Sequence, residues 1–171
     1  GERWDFGRFT SRVRGVGEVL GQFPVSCLAE EILTPGAGRI RALITVAGNP
    51  AVSAPGAGRL QEALASLDAL ICLDNWLNET TRHAHVILPG LSPLERSHAD
   101  DLYWMYALSS CLKWSDPVFP PQAGRPAEWE VLLRLSGAVL GTPVPDVDVT
   151  AMDDLYVGGL VATMCALPDT P

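Results

Sequence analysis

Three apolar runs in this chain are each followed directly by residues suited to binding a small polar ligand. The first run is followed by Gly48-Asn49-Pro50, the second by Asp74 through Thr80, and the third by Pro89-Gly90. A glycine lets a ligand approach the backbone closely, and an asparagine side chain offers both donors and acceptors. A carboxylate such as that of Asp74 can accept paired hydrogen bonds from a guanine edge or from ribose hydroxyls. The chemistry that these residues predict is nucleotide binding.

Seven residues of these segments are the candidate ligand-binding residues: Gly48, Asn49, Pro50, Asp74, Asn78, Thr80 and Pro89. A second interpretation stays open for them. The Gly48-Asn49-Pro50 segment is also typical of a plain turn, and Asp74 or Asn78 could serve only to cap a helix that begins at Glu79.

No residue pattern points to a catalytic group or a metal ligand. His83 and His85 are two positions apart, which is a poor spacing for a metal pair on a helix. The four cysteines lack the Cys-x-x-Cys pairs of zinc and iron–sulfur sites: Cys27, Cys72, Cys111 and Cys165. We therefore predict neither catalytic nor metal-binding residues, and we expect reduced thiols and a cytoplasmic location.

The elements that would position the candidate residues alternate between short apolar runs and helices. Strands are predicted at residues 40–46, 69–73 and 85–88, the first two of them buried, and helices at residues 27–33, 58–67 and 79–84. Parallel neighbours need a connection long enough to return over the sheet, so this alternation favours a parallel arrangement. We predict the α/β class, with a Rossmann-like parallel sheet in three αβα layers and a single domain.

The remaining residues divide the chain into three parts. Residues 1–22 lack a clear period and are interpreted as a lead-in or linker, residues 23–141 as the Rossmann-like domain, and residues 142–171 as a C-terminal segment with a helix. Thr150 is the expected cap of that last helix. Another helix is predicted at residues 126–140, with a proline in its first turn. Residues 102–113 fit either a strand or an irregular packing segment.

Composition excludes two classes of partner. The chain has 171 residues, of which 47% are hydrophobic and 19% charged, with a formal net charge of −8. These values are typical of a folded globular protein. Because the net charge is negative and the basic residues form no long patch, we expect neither nucleic acid nor an anionic membrane surface as a partner. The uncharged stretch of residues 155–167 is shorter than the roughly 20 apolar residues of a membrane-spanning helix.

Several motifs, taken together in order and spacing, resemble the molybdopterin oxidoreductase family. The resemblance covers most of residues 6–141 and is strongest between Ile32 and Arg96. Its segments are residues 41–44, 48–53, 70–74, 78–80, 84–89 and 94–96. Ahead of the first predicted strand, residues 29–32 and Pro35-Gly36 are similar to the formate dehydrogenase-like branch.

The resemblance implies a cofactor and roles for individual residues. In that family, this segment is one of two Rossmann-like domains that hold molybdopterin guanine dinucleotide around molybdenum or tungsten, and the metal performs the two-electron chemistry. Carried over to this sequence, Gly48 and Asn49 would line the nucleotide crevice, Asp74 would meet guanine, and Asn78 would lie beside it. Asn78 stands where the family usually has threonine, and His85 where it has aspartate. Residues 97–99 replace a glycine-containing loop, so a cofactor contact from that loop is not carried over.

The resemblance also implies an internal domain of a longer oxidoreductase. The chain begins at Gly1 without a signal-peptide pattern, and it has no iron–sulfur cysteine cluster or metal-ligating residue. We expect it to be catalytically silent alone, with the other domains of the enzyme as its partners. An apolar face that those domains would cover could also support a homo-oligomer. The alternative function is a non-catalytic interaction or scaffold module that keeps the α/β fold and has lost its ligand.

Overall fold

The structure is a computed structural model that describes residues 6–100, 108–109 and 113–166. Two compact units divide the chain, Gly1–Pro89 and Gly90–Pro171, which we call unit 1 and unit 2.

Unit 1 contains a three-stranded parallel sheet in the order β1-β2-β3. The strands are β1 (Ala42–Val46), β2 (Ala69–Leu73) and β3 (Val86–Leu88). Val46 pairs in register with Leu73, which pairs in turn with Leu88, so all three strands end at the same level. The parallel α/β arrangement predicted from the alternating pattern is confirmed.

The helices of unit 1 are short. They are α1 (Leu28–Leu33), which follows a 3-10 turn at Val25–Cys27, α2 (Pro50–Ser53) and α3 (Ala57–Ala65). The helix predicted at residues 79–84 is wrong in type and extent, because only a 3-10 turn forms at Thr81–His83. Ala84 is already extended, and the backbone N–H of His85 donates to the carbonyl of Leu70 at 2.8 Å. The chain therefore pairs with β2 at His85, before a full helical turn can form.

The core of unit 1 lies on one face of the sheet. Its fully buried members come from α1, α2, α3 and β2, and include Ile32, Ala51, Leu60, Leu64 and Leu70. Leu43 of β1 packs against this cluster.

The opposite side of the sheet, which we call the open face, carries Ile44, Val46 and Val86. These three side chains are 40%, 44% and 46% exposed. The prediction that β1 is a buried strand is therefore wrong for every second residue, since Ala42, Ile44 and Val46 alternate with the half-buried Leu43 and Thr45.

The N-terminal residues of unit 1 are tied to α1 by ion pairs. Arg12 and Arg14 bind the largely buried carboxylates of Glu31 and Glu30, with N–O distances of 3.4 and 2.8 Å. Within the segment, the fully buried carboxylate of Glu18 accepts hydrogen bonds from Nε of Arg8 and from the backbone N–H of Gly21, both at 2.7 Å. These contacts hold the pKa of Glu18 below its ordinary value, the Arg8 hydrogen bond being the largest cause.

Unit 2 combines an antiparallel strand pair with two helices. The strands are β4 (His98–Asp100) and β5 (Lys113–Ser115), and the helices are α4 (Glu128–Val139) and α5 (Val149–Ala166). Residues 102–113, for which the sequence allows a strand or an irregular packing segment, lie outside the described residues except for Leu108, Ser109 and Lys113. Lys113 begins β5.

The cap of α5 differs from the prediction. The carboxylate of Asp148 accepts the backbone N–H of Ala151 at 3.0 Å, so Asp148 caps the helix and Thr150 lies within its first turn. Among the described residues, no helix combines the length and the apolar character that crossing a membrane requires.

Candidate functional site

The in-register ends of β1, β2 and β3 bring the predicted segments to one edge of the sheet, which we call the carboxyl edge. It comprises residues 47–50, 74–80 and 89. The backbone N–H of Ala47 donates to the carbonyl of Leu73 at 2.9 Å, which extends the parallel pairing to the start of the first loop. The carboxyl ends of parallel strands are where ligands bind in open α/β sheets.

The loop after β1 turns sharply into α2. Ala47 has a positive φ of 49°, an uncommon conformation for a residue with a side chain. Pro50 is the first residue of α2, and the carbonyl of Asn49 accepts the backbone N–H groups of Val52 and Ser53, both at 3.0 Å. At Gly48, an added Cβ would meet no atom closer than 3.6 Å. The local packing of unit 1 therefore does not itself require a glycine at position 48.

The loop after β2 is built on Asp74 and Asn78. The Asp74 carboxylate accepts the backbone N–H of Trp76 and the side-chain amide of Asn78, each at 2.9 Å. The amide oxygen of Asn78 accepts the backbone N–H groups of Thr80 and Thr81, also at 2.9 Å. The Asn78 side chain thus forms a local turn that leads into the 3-10 turn at Thr81–His83, and no helix begins at Glu79 for it to cap. Each oxygen of Asp74 keeps acceptor capacity, because a carboxylate oxygen has two lone pairs.

A buried threonine joins the two loops. The hydroxyl of Thr80 donates to the amide oxygen of Asn49 at 2.7 Å and accepts the backbone N–H of Ala51 at 3.0 Å. Thr80 has no exposed surface. The side-chain amide of Asn49 donates to the Glu79 carboxylate at 2.7 Å. Asn49 lies in the loop after β1, and its two partners, Glu79 and Thr80, lie in the loop after β2. Contact between the two loops therefore fixes the orientation of the Asn49 amide.

The electrostatics of the edge depend on Glu79. The hydrogen bond from Asn49 is the largest cause that holds the pKa of Glu79 below its ordinary value. Its own backbone N–H and the positive charge of Arg82 act in the same direction. Glu79 is therefore a fixed negative charge at neutral pH, hydrogen-bonded to the Asn49 amide.

The structure brings together most of the predicted residues. Asn49 and Thr80 are directly bonded, as are Asp74 and Asn78, and Gly48 and Pro50 flank Asn49. Pro89 follows β3 at the same edge and is exposed.

Sequence reasoning missed two residues of the edge, Glu79 and Trp76. Glu79 was interpreted only as the start of a helix. Trp76 is 78% exposed and lies two positions after the strand-ending aspartate. An aromatic residue inside a polar loop, next to a strand end, is the signal that could have identified it.

Two further features of the described residues lie apart from this edge. No group of three His, Cys, Asp or Glu side chains in the described ranges could hold a metal ion. An apolar cavity of about 400 Å³ lies in unit 1 between the N-terminal residues and α1, lined by Phe23, Val25, Cys27, Leu28 and other residues. Its walls are mainly apolar, whereas the carboxyl edge has the polar groups that a nucleotide needs.

Comparisons with known proteins give a family and two partial relatives. A family model described as molybdopterin oxidoreductase matches residues 8–138, which is more than half of the chain. Over 58 residues the chain is 41% identical to the assimilatory nitrate reductase catalytic subunit of Bacillus subtilis, covering 34% of this chain and 8% of that protein. Over 66 residues it is 36% identical to the F420-dependent formate dehydrogenase 1 subunit alpha of Methanococcus maripaludis, covering 39% of this chain and 10% of that protein. The matches therefore span a tenth or less of the length of these relatives.

Proposed function

The chain belongs to the molybdopterin oxidoreductase family, and we propose that its carboxyl edge holds the guanine dinucleotide end of a molybdopterin cofactor. The observation that carries this proposal is the Asp74 carboxylate at the end of the central strand. Both of its oxygens are held by neighbours, Trp76 and Asn78, and both keep lone pairs for a ligand. A guanine edge presents adjacent N–H donors that such a carboxylate can accept.

The residues of the edge fit such a group. A side chain would fit at position 48, but the residue there is glycine. The space that this leaves supports close approach of a ligand to the backbone of Gly48. Asn49 has one amide hydrogen beyond the one donated to Glu79, and this hydrogen is available to an acceptor on the ligand. Thr80 would contribute by orienting the Asn49 amide through a hydrogen bond. Asn78 would contribute by hydrogen bonding to the Asp74 carboxylate. Pro50 and Pro89 shape the loops of the crevice.

When bound, a molybdopterin cofactor supplies a metal capable of two-electron chemistry, while the protein supplies binding, orientation and electrostatics. We propose that this chain is a cofactor-binding, Rossmann-like domain of a longer oxidoreductase, resembling formate dehydrogenase. The small share of each relative that the matches cover supports this. Its partners would be the other domains of that enzyme. The free buried thiols of Cys27 and Cys72 are compatible with the cytoplasmic location that we propose.

One observation favours the alternative of a scaffold module without a ligand. The amide oxygens of Asn49 and Asn78 are both used inside the protein, the first by Thr80 and the second by two backbone N–H groups. The edge would then be a self-contained loop structure.

A calorimetric titration with GDP separates the two functions. Under the cofactor proposal, the wild-type chain binds GDP at one site, and Asp74→Ala weakens binding about tenfold, since a lost hydrogen bond to a charged group has this effect. The control is Glu62→Ala, which removes one exposed carboxylate from α3 of the same unit and should leave the affinity unchanged. No binding by the wild type, or equal binding by Asp74→Ala, contradicts the proposal and favours the scaffold.

A further inference from the structure

Trp76 is the exposed aromatic residue of the carboxyl edge, and the contacts described above leave its ring without a role. We propose that its indole ring is the surface on which the guanine base stacks, beside the carboxylate of Asp74. This inference rests on the proposed function, because it names the residue that would contact the base of the same ligand.

The backbone of Trp76 is fixed although its side chain is exposed. Its N–H donates to Oδ1 of Asp74 at 2.9 Å, and its carbonyl accepts the hydroxyl of Thr81 at 3.0 Å. Thr81 is 1% exposed, so this second anchor is part of the interior of unit 1. Both polar backbone groups of Trp76 are therefore held by side chains. The backbone that carries this large apolar ring therefore loses little conformational freedom on binding.

The position of Trp76 links the ring to the carboxylate. Asp74 both binds the Trp76 N–H and supplies the free acceptor capacity proposed for guanine. Proteins commonly bind a base by hydrogen bonds to its edge and by stacking on an aromatic side chain. A carboxylate for the N–H donors of guanine and an indole for its flat face would together satisfy both requirements.

Leu77 provides a matched neighbour. It is 79% exposed, as Trp76 is 78% exposed, and it lies in the same loop. Leucine has no aromatic face, so an effect that depends on stacking must be specific to position 76. An effect that depends only on exposed apolar surface would appear at both positions.

The experiment is a calorimetric titration of the full chain with GDP and with IDP, whose base lacks the 2-amino group of guanine. We expect Trp76→Ala to weaken the binding of both nucleotides by the same factor, about tenfold, because stacking does not depend on that amino group. Asp74→Ala should instead bring the GDP and IDP affinities closer together. Trp76→Phe should bind within about threefold of wild type, since a phenyl ring also stacks.

Three further measurements complete the test. Leu77→Ala should leave both affinities unchanged. GDP should quench the tryptophan fluorescence of the wild type and should quench Trp76→Phe less, a readout that depends on contact with the ring. Thermal unfolding of each variant checks that it is folded, which the exposure of Trp76 leads us to expect.

The outcomes distinguish the two proposals. If the wild type binds GDP and Asp74→Ala weakens it while Trp76→Ala does not, stacking on Trp76 is overturned and the proposed function stands. Equal losses in Trp76→Ala and Leu77→Ala also overturn stacking, because they indicate a general apolar contact. If the wild type binds no GDP, both proposals fall.

Discussion

At the residue scale, Thr80 is the buried side chain that connects the loop after β2 to the loop after β1. Its buried hydroxyl makes two hydrogen bonds, with the Asn49 amide oxygen and with the Ala51 N–H. Thr80→Val keeps the shape and leaves both partners unsatisfied, so we expect the free energy of unfolding to fall by about 1–3 kcal/mol. Urea denaturation measures this. The control, Thr142→Val at an exposed position, should change it by less than about 0.5 kcal/mol, and an equal effect of both variants would refute the role of Thr80.

Glu79 should make stability depend on pH. Asn49 and Arg82 lower its pKa in the folded chain, so the unfolded chain binds a proton at higher pH than the folded chain does. The stabilising contribution is therefore complete above the ordinary carboxyl pKa of about 4.3, and it is lost as the pH falls through the lower folded value.

The measurement is the urea midpoint of the wild type and Glu79→Gln between neutral and acidic pH. The advantage of the wild type should shrink as the pH falls. Glu62→Gln, a matched change at an exposed carboxylate of α3, keeps the Glu79 carboxylate and should therefore keep the pH dependence that Glu79→Gln loses. A difference between wild type and Glu79→Gln that stays constant across the range argues against the Asn49 bond as the cause.

At the element scale, the sequence predicts helices and strands whose patterns involve neighbouring residues. It misses hydrogen bonds between residues that are distant in the chain. The apolar runs that became β1 and β2 and the amphipathic pattern of α3 are local signals, and they gave the correct elements. The rule that ligands bind at strand ends gave Asn49 and Asp74 as site residues, and the structure places both at one edge. The bond between Asn49 and Glu79 joins residues 30 positions apart, and no local pattern indicates it.

Contacts that a local pattern does not show account for the two errors in the helices. The backbone N–H of His85 bonds to the carbonyl of Leu70, so only the turn at Thr81–His83 forms before β3. For α5, Asp148 and Thr150 are both good capping residues, and only the observed bond from Ala151 decides between them. The exposure of Ile44 and Val46 was missed because an apolar run does not show which sheet face is covered.

Two glycines of unit 2 allow a paired prediction on its helices. A Cβ at Gly137 of α4 would lie 2.6 and 3.1 Å from the two methyl groups of Val147, whereas a Cβ at Gly158 of α5 would meet nothing within 4 Å. Overpacking costs about 1–3 kcal/mol, more than the roughly 1 kcal/mol that alanine gains over glycine in a helix. Gly137→Ala should therefore destabilise the chain, and Gly158→Ala should stabilise it by about 0.5–1 kcal/mol. Thermal unfolding measures both, and stabilisation by Gly137→Ala would show that the contact with Val147 is looser than described.

At the scale of the whole molecule, the open face of unit 1 is the apolar surface through which we expect self-association. Ile44, Val46 and Val86 are exposed side by side on it, and such patches usually mark an interface. Sedimentation velocity should show association that increases with concentration. Val86→Lys should weaken it, while Val139→Lys, which changes an exposed valine of α4, should not. A monodisperse monomer at high concentration would rule out this interface.

The central claim is that the carboxyl edge of unit 1 is the guanine-binding site, and GDP titration followed by NMR tests it most directly. In the amide spectrum of the labelled chain, we predict shift changes that saturate with GDP and centre on the backbone of Gly48, Asn49, Asp74 and Asn78. The side-chain amide of Asn49, held between Glu79 and Thr80, should move with them. Saturating shifts centred instead on the cavity between the N-terminal residues and α1, or no shifts at all, would contradict the account.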